Sequence, residues 1–72
     1  MNVKIDEKAL KDLMKIEKKF RNQILNEIKK LENFPNCLNI KKLKNFYPRF
    51  RLRVGKYRII FDVEKDNVVV YK

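Results

Sequence analysis

Apolar residues recur along this chain with two different periods, and the change from one to the other divides it into a helical half and a strand half. Asn2 to Ile5 alternates polar and apolar, which predicts a short first strand. Asp6 then stands where a helix N-cap is expected, with Glu7 in the first turn. Ala9, Leu10, Leu13, Ile16 and Phe20 follow at three- and four-residue spacing, and Ile24, Leu25, Ile28 and Leu31 carry that period to Phe34, where Pro35 and Asn36 end it. One long helix and a hairpin of two helices broken near Lys18 and Lys19 both satisfy this spacing; the hairpin suits a small domain better.

From Asn36 to Asn45 the pattern dissolves into a lysine-rich connection in which Ile40 and Leu43 are expected to tether the loop to the core. The period then becomes two. Residues 49 to 54 read Arg-Phe-Arg-Leu-Arg-Val, and Tyr57 to Val63 resumes after Gly55-Lys56. Glycine as the first residue of a two-residue loop suits a type II′ turn, which pairs Val54 with Tyr57, Arg53 with Arg58, Arg51 with Ile60 and Arg49 with Asp62. A second turn, centred on Lys65-Asp66 or Asp66-Asn67, leads into a last strand, Val68 to Tyr71. The expected fold is α+β: two N-terminal helices on one face of a small, curved, mainly antiparallel sheet made of the short first strand and a three-stranded meander.

Seventy-two residues make one domain, 1–72, and so short a chain hides only roughly 60% of the surface its unfolded form exposes. An active site is therefore expected on an open surface. No apolar run is long enough to cross a bilayer and the first residues lack the apolar core of a signal peptide, so a cytoplasmic location is expected. Cys37 stands alone and there is no histidine, which removes an internal disulfide, the commonest metal ligand and the usual neutral-pH acid/base.

A formal charge of +10 calls for a polyanion: nucleic acid, an anionic membrane surface or an acidic protein. The strand register refines this. Directly paired residues share a face, so Phe50, Leu52, Val54, Tyr57, Ile59, Phe61 and Val63 turn inward, followed by Val68 and Val70. Arg49, Arg51, Arg53 and Arg58 take the other side with Val69 and Tyr71.

Arg53 facing Arg58 destabilises a sheet unless an anion docks there. The chain has 14 lysines and five arginines, and four of the five arginines fall between positions 49 and 58. Arginine can simply cover a solvated face with its apolar stem. The local switch from lysine to a planar fork that grips phosphate and stacks on bases points further, to recognition. Tyr71 and Tyr47 offer stacking surfaces beside the arginines. Membrane-surface binding fits least, because the helices need their apolar faces to close the core.

The order of short strand, helical hairpin and Lys42-Leu43-Lys44 leading into Arg51-Leu52-Arg53-Val54-Gly55-Lys56-Tyr57-Arg58-Ile59-Ile60-Phe61 resembles the RelE/ParE toxin superfamily. The resemblance implies the toxin of a type II toxin-antitoxin pair, with an acidic antitoxin as partner. In the RelE branch it implies a protein that enters the ribosome and cuts messenger RNA by 2′-hydroxyl attack, with neither metal nor cofactor. Arg51, Arg53 and Arg58 would then be the catalytic residues that stabilise the transition state, with Arg49, Lys42, Lys44, Lys56 and Tyr71 binding nucleic acid. Members that cleave RNA commonly continue past the last strand with a His-Arg or Lys-Arg pair and a tyrosine. This sequence ends at Tyr71-Lys72, so the groups of that segment are expected to be missing, leaving proton transfer to Lys44, Lys56 or the ribosome. The ParE branch, which poisons DNA gyrase, and a non-enzymatic RNA- or ribosome-binding module or an inactive, truncated toxin are the alternatives.

Overall fold

In the computed structural model, which describes residues 1–71, Asp6 caps the first helix as its position predicts, its carboxylate accepting the Lys8 N–H at 3.3 Å. Strand β1 (Asn2–Ile5) precedes this cap and helix α1 (Glu7–Met14) follows it. The chain turns through Lys15 to Glu17, slightly earlier than the spacing suggested, and α2 (Lys18–Lys29) tightens into a 3-10 turn over Lys30–Asn33. The inward stripe of the two helices is Ala9, Leu13, Ile24, Ile28 and Leu31, all buried. Leu10 and Leu25 lie outside it, 47% and 37% exposed. Each helix presents only one side to the sheet, which is narrower than the full set of apolar positions.

Among the described residues the sheet has five strands, one more than expected. The lysine-rich connection contains β2 (Ile40–Lys42), antiparallel to β3 (Phe50–Val54), and the meander continues through β4 (Tyr57–Glu64) and β5 (Asn67–Val70). Strand β1 joins the far edge, parallel to β5, giving the order β1-β5-β4-β3-β2. The sheet is mixed and open.

The hairpin register is the expected one: Val54 opposite Tyr57, Arg53 opposite Arg58 and Arg51 opposite Ile60. Gly55 has φ +56° and Lys56 does not share that sign, the pattern of a type II′ turn. Glu64 pairs with Asn67, so the second turn centres on Lys65-Asp66, with Lys65 at φ +57°. Leu52, Ile59, Phe61, Val68 and Val70 join the helical stripe in one core, and Phe34 closes it edge-on against Phe50 and Phe61 at centroid distances of 5.1 and 5.8 Å. Among the described residues no helix is long and apolar enough to cross a membrane.

Candidate nucleic-acid interface

Alternation along β3 and β4 turns Arg51, Arg53 and Arg58 away from the helices. The added strand extends the set, because Lys41 pairs with Arg51. One row across the sheet therefore reads Lys41, Arg51, Ile60 and Tyr71, the last held in place by its N–H, which donates to the Ile60 carbonyl at 2.8 Å. The neighbouring row sets Arg53 against Arg58. Both guanidinium-bearing residues of that row are exposed, and the Arg53 Nε donates to the Gly55 carbonyl at 3.3 Å. Directly opposed side chains lie about 5 Å apart at Cβ, so two like-charged pairs sit side by side. Among the described residues none of these four cations is paired with a carboxylate.

Arg49 is differently engaged. Its Nη2 lies 2.7 Å from Asp62 Oδ1, its Nε donates to both carboxylate oxygens at 3.1 Å, and its backbone N–H donates to Oδ2 at 2.9 Å. Asp62 is fully buried and also accepts the Val63 N–H at 2.7 Å. Burial pushes the Asp62 carboxyl up, but the hydrogen bonds from Arg49 and Val63 outweigh it and hold the group below its ordinary value. The pairing of Arg49 with Asp62 was legible in the register. Its strength makes Arg49 the fixed end of a loop, with its charge already neutralised.

That loop, residues 43 to 49, is closed at its base by the Leu43 N–H bonding the Arg49 carbonyl at 2.6 Å. It carries Phe46 and Tyr47, 69% and 68% exposed. The Tyr47 ring lies 6.3 Å from that of Tyr71, tilted by 53°, and its hydroxyl donates to Glu64 Oε2 at 3.4 Å. Partial desolvation and the charges of Glu64 and Asp62 raise the Tyr47 hydroxyl above its ordinary value, so the ring is neutral at physiological pH.

Two other lysines named from the sequence sit elsewhere. Lys42 pairs with Phe50, which places it on the helix-facing side of the edge strand. Lys56 reaches over the rings of Phe20 and Tyr57 at 5.9 and 5.7 Å, a cation–π arrangement on the helical side of the hairpin. Lys44 lies in the loop beside Tyr47 and Arg49, lining with them one open depression whose edge Lys42 also reaches. Lys41 was missed because three residues, Ile-Lys-Lys, show too little alternation to read as a strand. No group of three or more potential metal ligands occurs among the described residues.

A family model described as the ParE toxin of type II toxin-antitoxin system, parDE, matches residues 3–72. The chain belongs to the RelE/ParE toxin superfamily. Toxin RelE3 of Methanocaldococcus jannaschii is 34% identical over 74 residues, spanning 96% of this chain and 83% of the relative. A crystal structure of a RelB-RelE antitoxin-toxin complex from Methanococcus jannaschii contains a chain that matches this fold with a TM-score of 0.80 and 26% identity, over 96% of this chain and 85% of that one. Membership in the superfamily agrees with the α+β architecture and with the hairpin that carries Arg51, Arg53 and Arg58.

Proposed function

We propose that this toxin grips the phosphate backbone of RNA on the ribosome with the uncovered face of its sheet. The observation that carries the reading is the patch of four cations, Lys41, Arg51, Arg53 and Arg58, in two adjacent rows without acidic partners among the described residues. Such a patch is unfavourable in the free protein and is relieved by an anion with regularly spaced charges. Guanidinium groups add directional hydrogen bonds to that attraction.

If the bound RNA is cut, the ribose 2′-oxygen loses its proton as it attacks the adjacent phosphorus, the bond to the 5′-oxygen breaks as that oxygen takes up a proton, and a 2′,3′-cyclic phosphate and a 5′-hydroxyl remain. Arginine keeps its proton, so Arg51, Arg53 and Arg58 act by stabilising charge on the phosphorane oxygens, each donor contributing about 3 kcal/mol, while the 2′ proton leaves to another group. The test is cleavage of ribosome-bound message by the full chain and by Arg58→Ala. A loss of about a hundredfold is expected, and unchanged cutting would overturn the role of Arg58.

A partner antitoxin belongs to the same proposal. The solved neighbour is an antitoxin-toxin complex, and a charge of +10 suits an acidic antitoxin. Because the matching family model is described as ParE, inhibition of DNA gyrase is the second reading. A supercoiling assay separates the two: loss of gyrase activity together with intact message would favour the second.

A further inference from the structure

The sheet face is not uniformly basic; its charge changes along the strands. At the hairpin end stand Lys41, Arg51, Arg53 and Arg58. At the other end the charge of Arg49 is cancelled by Asp62, which pairs with half-buried Val69, and Glu64 binds the Tyr47 hydroxyl. The exposed Tyr47 ring, with Lys44 in the same loop, reaches half-buried Tyr71 in the Arg51 row. That end is less basic than the hairpin end and offers aromatic rings.

We infer that Tyr47 and Tyr71 form a stacking site for one unpaired base, so that the RNA held by the neighbouring cations is single-stranded there. Three observations carry this. The two rings stand 6.3 Å apart on the arginine side of the sheet, with Tyr71 in the same row as Arg51 and Lys41. Tyr47 is 68% exposed, yet it is held in position from both ends, by its hydroxyl on Glu64 and by the Arg49–Asp62 anchor two residues on. An exposed aromatic ring fixed in this way loses little freedom when a base lies on it. Finally, the aromatic rings suit the neutral part of a nucleotide, while the adjacent cations select its phosphate. A base in a duplex has both faces covered and would not fit this use.

The inference rests on the RNA-gripping reading, and the test keeps the two apart. Fluorescence anisotropy would follow binding of the full chain to a short single-stranded oligouridine and to an abasic oligomer with the same number of phosphates. Tyr47→Ala should weaken oligouridine binding about tenfold and leave abasic binding unchanged, while Tyr47→Phe, which keeps the ring, should retain most of the affinity. Arg51→Ala and Arg58→Ala should weaken both ligands. Equal effects of Tyr47→Ala on the two ligands, or none on either, would overturn the stacking site. Unchanged binding in the arginine variants would overturn the phosphate grip on which it stands. Quenching of tyrosine fluorescence in the unmodified chain by oligouridine and not by the abasic oligomer checks the same point without a variant; equal quenching by both counts against it.

Discussion

The guanidinium of Arg49 meets the carboxylate of Asp62 at 2.7 Å, and the backbone N–H of the same arginine binds the same carboxylate at 2.9 Å. One buried acid thus holds a residue by both its side chain and its main chain, and with it the end of the 43–49 loop. Because the Asp62 carboxyl lies below its ordinary value when folded, its contribution to stability is complete at neutral pH, above the unfolded value of about 4. It is lost as pH falls through the depressed folded value. Asp62→Asn should therefore lower the melting temperature at pH 7, and the gap from the unmodified chain should close in acid. Thermal unfolding followed at a series of pH values checks this; a gap that stays constant would show that the charge on Asp62 is unimportant.

Phe61 is fully buried, stacked on Phe50 at 5.5 Å and edge-on to Phe34 at 5.8 Å. Phe61→Ala should cost about 3–5 kcal/mol, a large part of the roughly 5–15 kcal/mol that holds a domain folded. Urea denaturation would show a much lower midpoint or no folded baseline. A loss below about 1 kcal/mol would mean that the aromatic cluster is less tightly packed than these distances imply.

The two hairpin turns predict opposite responses. Gly55 has φ +56° with open space where a Cβ would point, so Gly55→Ala should destabilise through backbone strain alone, by about 1 kcal/mol. Lys65 already carries a side chain at φ +57°. Lys65→Gly should relieve that strain and raise the melting temperature by a few degrees. Calorimetry on both variants reads the two signs; a stabilising Gly55→Ala would contradict the turn geometry.

Salt dependence reports directly on the cation patch. Each of Arg51, Arg53 and Arg58 replaced by alanine should reduce the slope of log affinity against log salt by about one for RNA binding. Arg49→Ala should change that slope little, since its charge is already balanced by Asp62. A drop for Arg49 equal to that for Arg58 would place Arg49 on phosphate after all.

Cys37 donates its thiol to the Lys30 carbonyl at 3.2 Å, and desolvation raises its ionisation above the ordinary value. Its reaction with iodoacetamide at mildly alkaline pH should be slower in the folded protein than in urea. Equal rates would remove the thiol from this packed position.

The parts of the fold that could be read in the sequence were those with a local punctuation mark. Gly55-Lys56 fixed the hairpin register, which in turn placed Arg51, Arg53 and Arg58 on one face and set Arg49 against Asp62. Asp6 marked the start of α1 in the same way. Strand β2 carries no such mark: its three residues hold one apolar side chain, and they form a strand only because β3 offers an unpaired edge. Missing it hid Lys41 and left Lys42 without a face. Lys56 was ambiguous for a related reason, since a turn residue has no face set by alternation and its aromatic neighbour Phe20 lies in a distant helix. Leu10 and Leu25 fit the helical period but lie beyond the width of the buried stripe.

The parallel pairing of β1 with β5, Asn2 against Asn67, has its consequence in time. Strands β2 to β5 meet their neighbours across connections short enough to close early, whereas β1 must wait for a loop spanning nearly the whole chain. The meander that carries the cation patch can therefore form as a local unit, and the first strand to be made is expected to be the last to be seated. Until it docks, the apolar edge of β5 and the ends of the helical stripe remain open to water. From sequence separation alone, the patch is expected to assemble before the core that supports it is complete.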